Sequence, residues 1–316
     1  MAASYSLVAR PLTVHSSYFI PKEPSLNQHN MKILIATLVI ALLLGVSAFA
    51  QSDDVNIVPR PQKIVRGDGY FTLTPDTRIL ARGKADKAIA ALLVERLQKA
   101  YGITIKISSK RSSKSPYIVF LPTVPDPRVS VNDGYGLAVE EGRIAIEGVT
   151  AAGRFYGLQS LLQLLPSSKD APIRVPVVRI DDHARFRYRG MHLDVARHFE
   201  PVEFVKKFVD LMSQYKLNYF HWHLTDDQGW RIPITKYPEL TEIGSTRPET
   251  VKERNLTPYI GDGIPHGGFY THEQIKDVIA YAKERHITVV PEIELPGHAS
   301  AALAAYPQFG CRTDYK

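Results

Sequence analysis

Between residues 84 and 101 the apolar side chains Ile89, Leu92, Leu93 and Leu97 recur at helical spacing and Gly102 follows as a stop, so an amphipathic helix is predicted there. A second helix is predicted over 151–165, with Phe155, Leu158, Leu161, Leu162 and Leu165 on one face and Pro166 just beyond. Short apolar runs predict strands at 70–73, 103–107, 117–121, 137–140 and 144–147. Glu140 and Glu141 precede Gly142 between two of these strands, which reads as a hairpin turn and not as an acid/base pair. Residues 53–183 are therefore expected to form a small α+β domain that carries no catalytic constellation.

After Asp181 and Asp182 the pattern changes to strand and helix in alternation. Strands are predicted at 190–195, 218–224 and 287–293, and helices at 201–215 and 271–285. Pro201 suits a first helical position. Thr271 and Gln274 form a capping box, and Ile275, Val278, Ile279 and Ala282 are the expected buried face of the helix that follows. Strands alternating with helices of this length imply parallel βαβ units. Polar residues gather after each strand: Asp194 and Arg197, then the run from His221 to Trp230, then Glu292, Glu294 and His298. A (β/α)8 barrel builds its active site at that end of its strands. The expected fold class is thus α/β, with residues 189–316 as the first three units of a TIM-type barrel. That is about half of the roughly 250 residues a barrel occupies, so the chain is expected to be truncated within it. Its first and third strands would be edges with one face uncovered, which favours association.

Composition changes this picture little. The chain has 316 residues, and its formal charge of +7 includes a +2 excess in the first fifty residues, from Arg10, Lys22 and Lys32 against Glu23. The remainder is spread thinly, and Lys106, Lys110, Arg111 and Lys114 lie among serines as a solvated loop, so no nucleic-acid surface is expected. The single cysteine, Cys311, excludes an intrachain disulfide and a cysteine-based metal knuckle. Met31-Lys32, an apolar run over 33–46 and then Ser47-Ala48-Phe49-Ala50 have the order of a signal peptide, cleaved before Gln51. The run is shorter than the roughly 20 residues that span a bilayer, so no stable membrane anchor is expected and the mature protein would be secreted or periplasmic. Residues 1–30 would lie upstream of the true start.

The chemistry concentrates at 221–230, which holds two histidines, two adjacent aspartates and both tryptophans of the chain. Such a mixture suits a polar ring with an apolar face. His221 and His223 share a strand face. As a metal pair they would need further ligands at suitable spacing, which the sequence does not supply, so hydrogen bonding is the stronger reading and no metal is expected. Asp226 and Asp227 cannot both be buried as charges without partners. Arg197 can fork onto vicinal hydroxyls or a carboxylate, or pair with Asp194. Glu292 and Glu294 share a face, and Pro296-Gly297 turns the chain to present His298. A carboxylate behind a histidine raises its basicity.

Three segments, 189–199, 221–230 and 291–298, together resemble glycoside hydrolase family 20, the β-N-acetylhexosaminidases. The preceding α+β region resembles the domain that comes before the barrel in that family. The resemblance implies that Arg197 binds hydroxyls of the terminal sugar, with Trp230 as a second substrate contact. It implies that Asp226 and His298 form a relay to the catalytic acid, with Glu294 at a supporting acidic position that is often aspartate. The implied reaction removes terminal N-acetylglucosamine or N-acetylgalactosamine with retention, through the substrate's own acetamido oxygen and with no cofactor. The family's aspartate and glutamate for that step lie in a His-x-Gly-Gly-Asp-Glu segment. Here Gly267-Gly268 is followed by Phe269-Tyr270 and no Asp-Glu dipeptide occurs, so this chain by itself is expected to be inactive. Two other classes remain open: a non-catalytic carbohydrate-binding protein, and a metal-dependent barrel hydrolase using His221 and His223.

Overall fold

A seven-stranded mixed sheet and a three-stranded parallel sheet carry the two halves of the described chain. The structure, a computed structural model, describes residues 55–111, 115–123, 133–168, 172–252 and 258–311. The expected signal segment at 31–50 and Lys114 lie outside these residues. Among them no helix is long and apolar enough to cross a membrane.

The first half runs β1 (Lys63–Leu73), β2 (Arg78–Leu80), α1 (Gly83–Tyr101), β3 (Lys106–Ser108), β4 (Tyr117–Pro122), β5 (Tyr135–Glu140), β6 (Arg143–Gly148), α2 (Ala151–Leu164) and β7 (Ile173–Asp182). Its sheet order is β1-β7-β5-β6-β4-β2-β3. Both predicted helices form. Gly102 ends α1 at φ 71, a left-handed conformation that glycine adopts without steric cost, with its N–H donating to the Gln98 carbonyl. Glu140 pairs with Arg143 across the β5–β6 hairpin, so the glutamates there belong to a turn. Leu93, Leu97, Ile118, Ile144, Phe155 and Leu158 are among the side chains that make the core beneath the sheet.

In this half β1 is longer than the pattern predicted, and β2 and β7 were not predicted at all. β1 begins at Lys63, ahead of the expected 70–73, and its register shifts between Arg66 and Tyr70, where Gly67-Asp68-Gly69 breaks the alternation. β7 contains Pro176, which hides it from a propensity reading. The strand expected at 103–107 forms at 106–108 instead.

The second half runs β8 (Gly190–Asp194), α3 (Val202–Gln214), β9 (Tyr219–His223), β10 (Thr225–Asp226), β11 (Gly229–Trp230), α4 (Glu239–Glu242), β12 (Thr246–Arg247), β13 (His266–Gly267), α5 (His272–Glu284), β14 (Thr288–Glu292) and α6 (Ser300–Ala305). β9 lies between β14 and β8, parallel to both. Pro201 stands one residue before its expected place, as the N-cap of α3. The capping box of α5 forms, with the Thr271 hydroxyl accepting from the Gln274 N–H and the Gln274 carboxamide accepting from the Thr271 N–H. Val278 and Ala282 are buried, but Ile279 is 44% exposed. The helix turns that position to solvent because only one narrow face meets α3 and β14. Met191 on β8 and Val290 on β14 are exposed on the two edge strands.

The halves are joined by paired charges. Asp210 of α3 receives Arg96 from α1 and, at 3.1 Å, Arg285 from the end of α5. Lys216 reaches the Tyr135 hydroxyl at 2.9 Å and Asp182 at 3.4 Å.

Candidate active site at the carboxyl ends of three strands

Parallel pairing puts Asp194 of β8, His223 of β9 and Glu292 of β14 in one row, with His192 and His221 paired two residues earlier. Side chains two apart on a strand share a face, so the three histidines and Glu292 converge. His223 Nδ1 lies 2.5 Å and His221 Nε2 2.7 Å from the same oxygen, Oε2 of Glu292, and His192 Nε2 is 3.6 Å from it. His223 is buried, and its Nε2 lies 2.8 Å from Oδ2 of Asp226.

Asp226, 1% exposed, is the junction of the site. Arg197 reaches its Oδ2 at 2.7 Å through one guanidinium nitrogen and Oδ2 of Asp194 at 2.7 Å through the other. The sequence left Arg197 either free for a ligand or paired with Asp194; it pairs with two carboxylates and still leaves 44% of its side chain exposed. The other oxygen of Asp194 accepts the backbone N–H groups of Ala196 and Arg197 at 2.9 and 3.0 Å, which fixes the turn that presents Arg197.

Asp226 and His298, expected as a pair, do meet: Nδ1 of His298 is 3.2 Å from Oδ1 of Asp226. The same nitrogen is 3.4 Å from Oδ2 of Asp227, whose Oδ1 accepts from the Ser300 hydroxyl at 2.7 Å. His298 holds a left-handed backbone, φ 50, uncommon for a residue with a side chain. Asp227 lay in the run expected to carry the chemistry, whereas Ser300 did not; a short loop from β14 brings them together.

Two expectations are corrected. Among the described residues Glu294 makes no hydrogen bond or ion pair with His298: its carboxyl hydrogen-bonds that of Glu292, and its backbone N–H donates to the Thr225 hydroxyl at 2.9 Å. The strand ends at Glu292, so Glu294 lies on the loop beyond it, and the Pro296-Gly297 turn that follows brings His298 to Asp226 instead. Trp230 is not a substrate platform. Its indole packs with Leu240, Ala301, Ala305 and Tyr306 and is 4% exposed, and its Nε1–H donates to the Ile232 carbonyl at 2.6 Å.

Arg231, next to it, frames the site without touching a carboxylate. Fully buried, its guanidinium donates to the carbonyls of Val195 at 3.0 Å, Ala196 at 2.7 Å and Gly268 at 2.9 Å, and also to Ser245. Burial, with Arg247 nearby, lowers its pKa to about 10, so it remains cationic near neutrality. A side chain at Gly229 would meet this guanidinium at 2.2 Å, so the turn before Trp230 requires glycine.

Burial raises the Asp194 and Asp227 carboxyls, but hydrogen bonds from Arg197 and from Ser300 outweigh it and hold both below the ordinary value. Burial lowers the His223 pKa, yet its bonds to Glu292 and Asp226 outweigh that and raise it above 6.5. Glu292 is held below 4.5, because bonds from His223 and the charges of His223 and His221 overcome its desolvation. A raised histidine contributes stability fully below its unfolded value and loses it as pH rises through its folded value; a depressed carboxylate contributes above its unfolded value and loses it as pH falls. The stability lost in a His223→Gln variant is therefore expected to be largest between pH 4.5 and 6.5 and smaller on either side. Urea unfolding of both proteins from pH 3 to 9 measures this; a difference that grows steadily to pH 9 contradicts it.

Among the described residues, two groups of donor atoms lie within 4.8 Å of one another: His192, His223 and Glu292, and Asp226, Asp227 and His298. In both groups these atoms already engage one another.

Two family models match in succession: glycosyl hydrolase family 20, domain 2, over residues 54–183 and the catalytic domain of the same family over 186–316. The chain belongs to glycosyl hydrolase family 20. Among family 20 relatives, the beta-hexosaminidase of Porphyromonas gingivalis is 44% identical over 265 residues, which cover 81% of this chain and 32% of that protein. The beta-hexosaminidase of Vibrio furnissii is 40% identical, covering 81% and 40%. Among solved family 20 structures, an exo beta-N-acetylglucosaminidase from Vibrio harveyi in complex with N-acetylglucosamine matches with a TM-score of 0.69 and 39% identity, over 80% of this chain and 38% of that one. The N-acetyl-beta-hexosaminidase of Streptomyces plicatus matches with a TM-score of 0.70 and 33% identity, over 81% and 49%. The chain thus spans between a third and a half of the length of these relatives.

Proposed function

We propose that residues 190–300 of this chain supply the sugar-holding and supporting part of a centre that removes terminal N-acetylhexosamine from glycans by retaining, substrate-assisted hydrolysis, without themselves supplying the catalytic acid. Arg197 carries this reading. Its guanidinium is oriented by Asp194 and Asp226 and remains 44% exposed beside His298. A planar, oriented cation suits two vicinal hydroxyls, and Asp226 links it to an imidazole positioned to act on a neighbouring acid. The names of the relatives and the N-acetylglucosamine in one solved neighbour support this substrate class.

We read β8, β9 and β14 with their helices as the opening of a (β/α)8 barrel, residues 53–183 as the domain before it, and 31–50 as a signal that directs the protein out of the cytoplasm. A second reading, a carbohydrate-binding protein without turnover, is favoured by the absence of an Asp-Glu dipeptide. The metal-dependent reading is weaker, because His221 and His223 both spend a nitrogen on Glu292.

Titrating residues 51–316 with N-acetylglucosamine, followed by NMR, is expected to perturb Arg197 and His298 with millimolar affinity and to lose the effect in Arg197→Ala. An aryl N-acetylglucosaminide is expected to stay intact. No sugar response would overturn the sugar site; turnover by this chain would overturn the assignment of the acid to an Asp-Glu pair.

A further inference from the structure

We propose that His223 is a positioning residue for the Asp226–His298 pair: Glu292 holds it as a doubly protonated imidazolium, whose Nε2–H secures one oxygen of Asp226 and leaves the other to His298. The role rests on the hexosaminidase reading, but the state of the imidazole does not.

Asp194, His223 and Glu292 occupy paired positions on three parallel strands, so backbone hydrogen bonding, and not a flexible loop, sets the ring between carboxylates. Each ring nitrogen faces a carboxylate oxygen, Nδ1 at 2.5 Å from Glu292 and Nε2 at 2.8 Å from Asp226. An ionised carboxylate only accepts, so both nitrogens must carry protons, which makes the ring cationic. The ring is 4% exposed, and a buried cation requires the counter-charges that surround it.

Among the described residues, the charged and titratable groups around His223 are Asp194 and His192 from β8, Arg197 from the loop after β8, Asp226 from β10, Glu292 from β14 and, on its own strand, His221, which shares the same Glu292 oxygen. The three carboxylates outnumber the fixed cation Arg197 by two, and protonated His223 brings that excess down to one. Arg197 lies 3.3 Å from Nε2 of His223, farther than either is from Oδ2 of Asp226, as expected for two donors sharing one acceptor. Of the two Asp226 oxygens, Oδ2 is thus taken by Arg197 and His223, while Oδ1 faces the Asp227 N–H at 2.7 Å and His298 at 3.2 Å. The carboxylate cannot rotate without losing two cations, so the oxygen offered to His298 is fixed from behind.

A metal ion held by these histidines would require a different spacing. Ligand atoms with bonds of about 2.0–2.1 Å to one tetrahedral ion stand roughly 3.3 Å apart. The 2.5 and 2.7 Å separations here are those of shared protons.

The test is nitrogen-15 NMR of the imidazoles in residues 51–316, with no sugar present. His223 is expected to show both ring nitrogens protonated at pH 7. In Glu292→Gln, which keeps the shape but not the charge, His223 is expected to become neutral. Asp226 would then be less neutralised, and the ring-nitrogen resonances of His298, whose Nδ1 faces Asp226 at 3.2 Å, would shift. A purely structural His223 would leave His298 unmoved by that variant. One protonated nitrogen in the unaltered protein, an unmoved His298, or stoichiometric zinc uptake that shifts the three imidazoles would each overturn the proposal. Failure of the sugar titration alone would overturn the hexosaminidase reading and leave the state of His223 standing.

Discussion

Replacing Arg231 by methionine is expected to cost at least about 3 kcal/mol of stability, read as a lowered urea midpoint. The guanidinium is fully buried and donates to carbonyls from three separate segments: Val195 and Ala196 after β8, Ser245 before β12, and Gly268 after β13. Methionine fills similar volume and returns none of these bonds. Each buried carbonyl left without a donor costs about 1–3 kcal/mol, offset in part by no longer desolvating a cation. The turn that carries Arg197 follows directly on Ala196, so the response of Arg197 to N-acetylglucosamine is expected to disappear with it. A loss below about 1 kcal/mol would mean that water replaces the guanidinium and that the frame lies elsewhere.

The second large effect is expected from Asp226→Ala. His223 and Arg197 would both lose the oxygen they share, and His298 would lose its nearer acceptor. Breaking a buried ion pair by removing one partner costs about 3–5 kcal/mol; the partial exposure of Arg197 puts the expected loss near the lower end, about 3 kcal/mol. Asp226→Asn separates charge from shape. It keeps one acceptor but turns an amide toward a cation, so its loss should fall between those of the alanine variant and the unaltered protein. Equal stability of all three proteins would show that Asp226 does not organise the site.

These two residues mark where the sequence was legible and where it was not. Asp226 stood out because two adjacent aspartates between histidines and tryptophans have no packing explanation. Arg231 gave no such signal, since a lone arginine beside a tryptophan reads as a surface charge until the carbonyls from residues 195–268 are seen around it. Trp230 misled for the opposite reason. An aromatic residue in a polar run suggests a sugar platform, yet α4 and α6 close over it, and that closure depends on contacts far along the chain. Glu294 was expected on the strand face of Glu292, but the strand ends at Glu292, and the loop that follows takes His298 to Asp226.

The order of strands and helices, the caps at Thr271 and Gly102, and the gathering of polar residues at the strand ends were determined by the sequence itself. Periodicity, capping and turn chemistry act over a few residues and are written locally. Only the tertiary structure decided that Asp194, His223 and Glu292 share one row, because parallel register between strands far apart in the chain is set by packing and hydrogen bonding that no local pattern encodes.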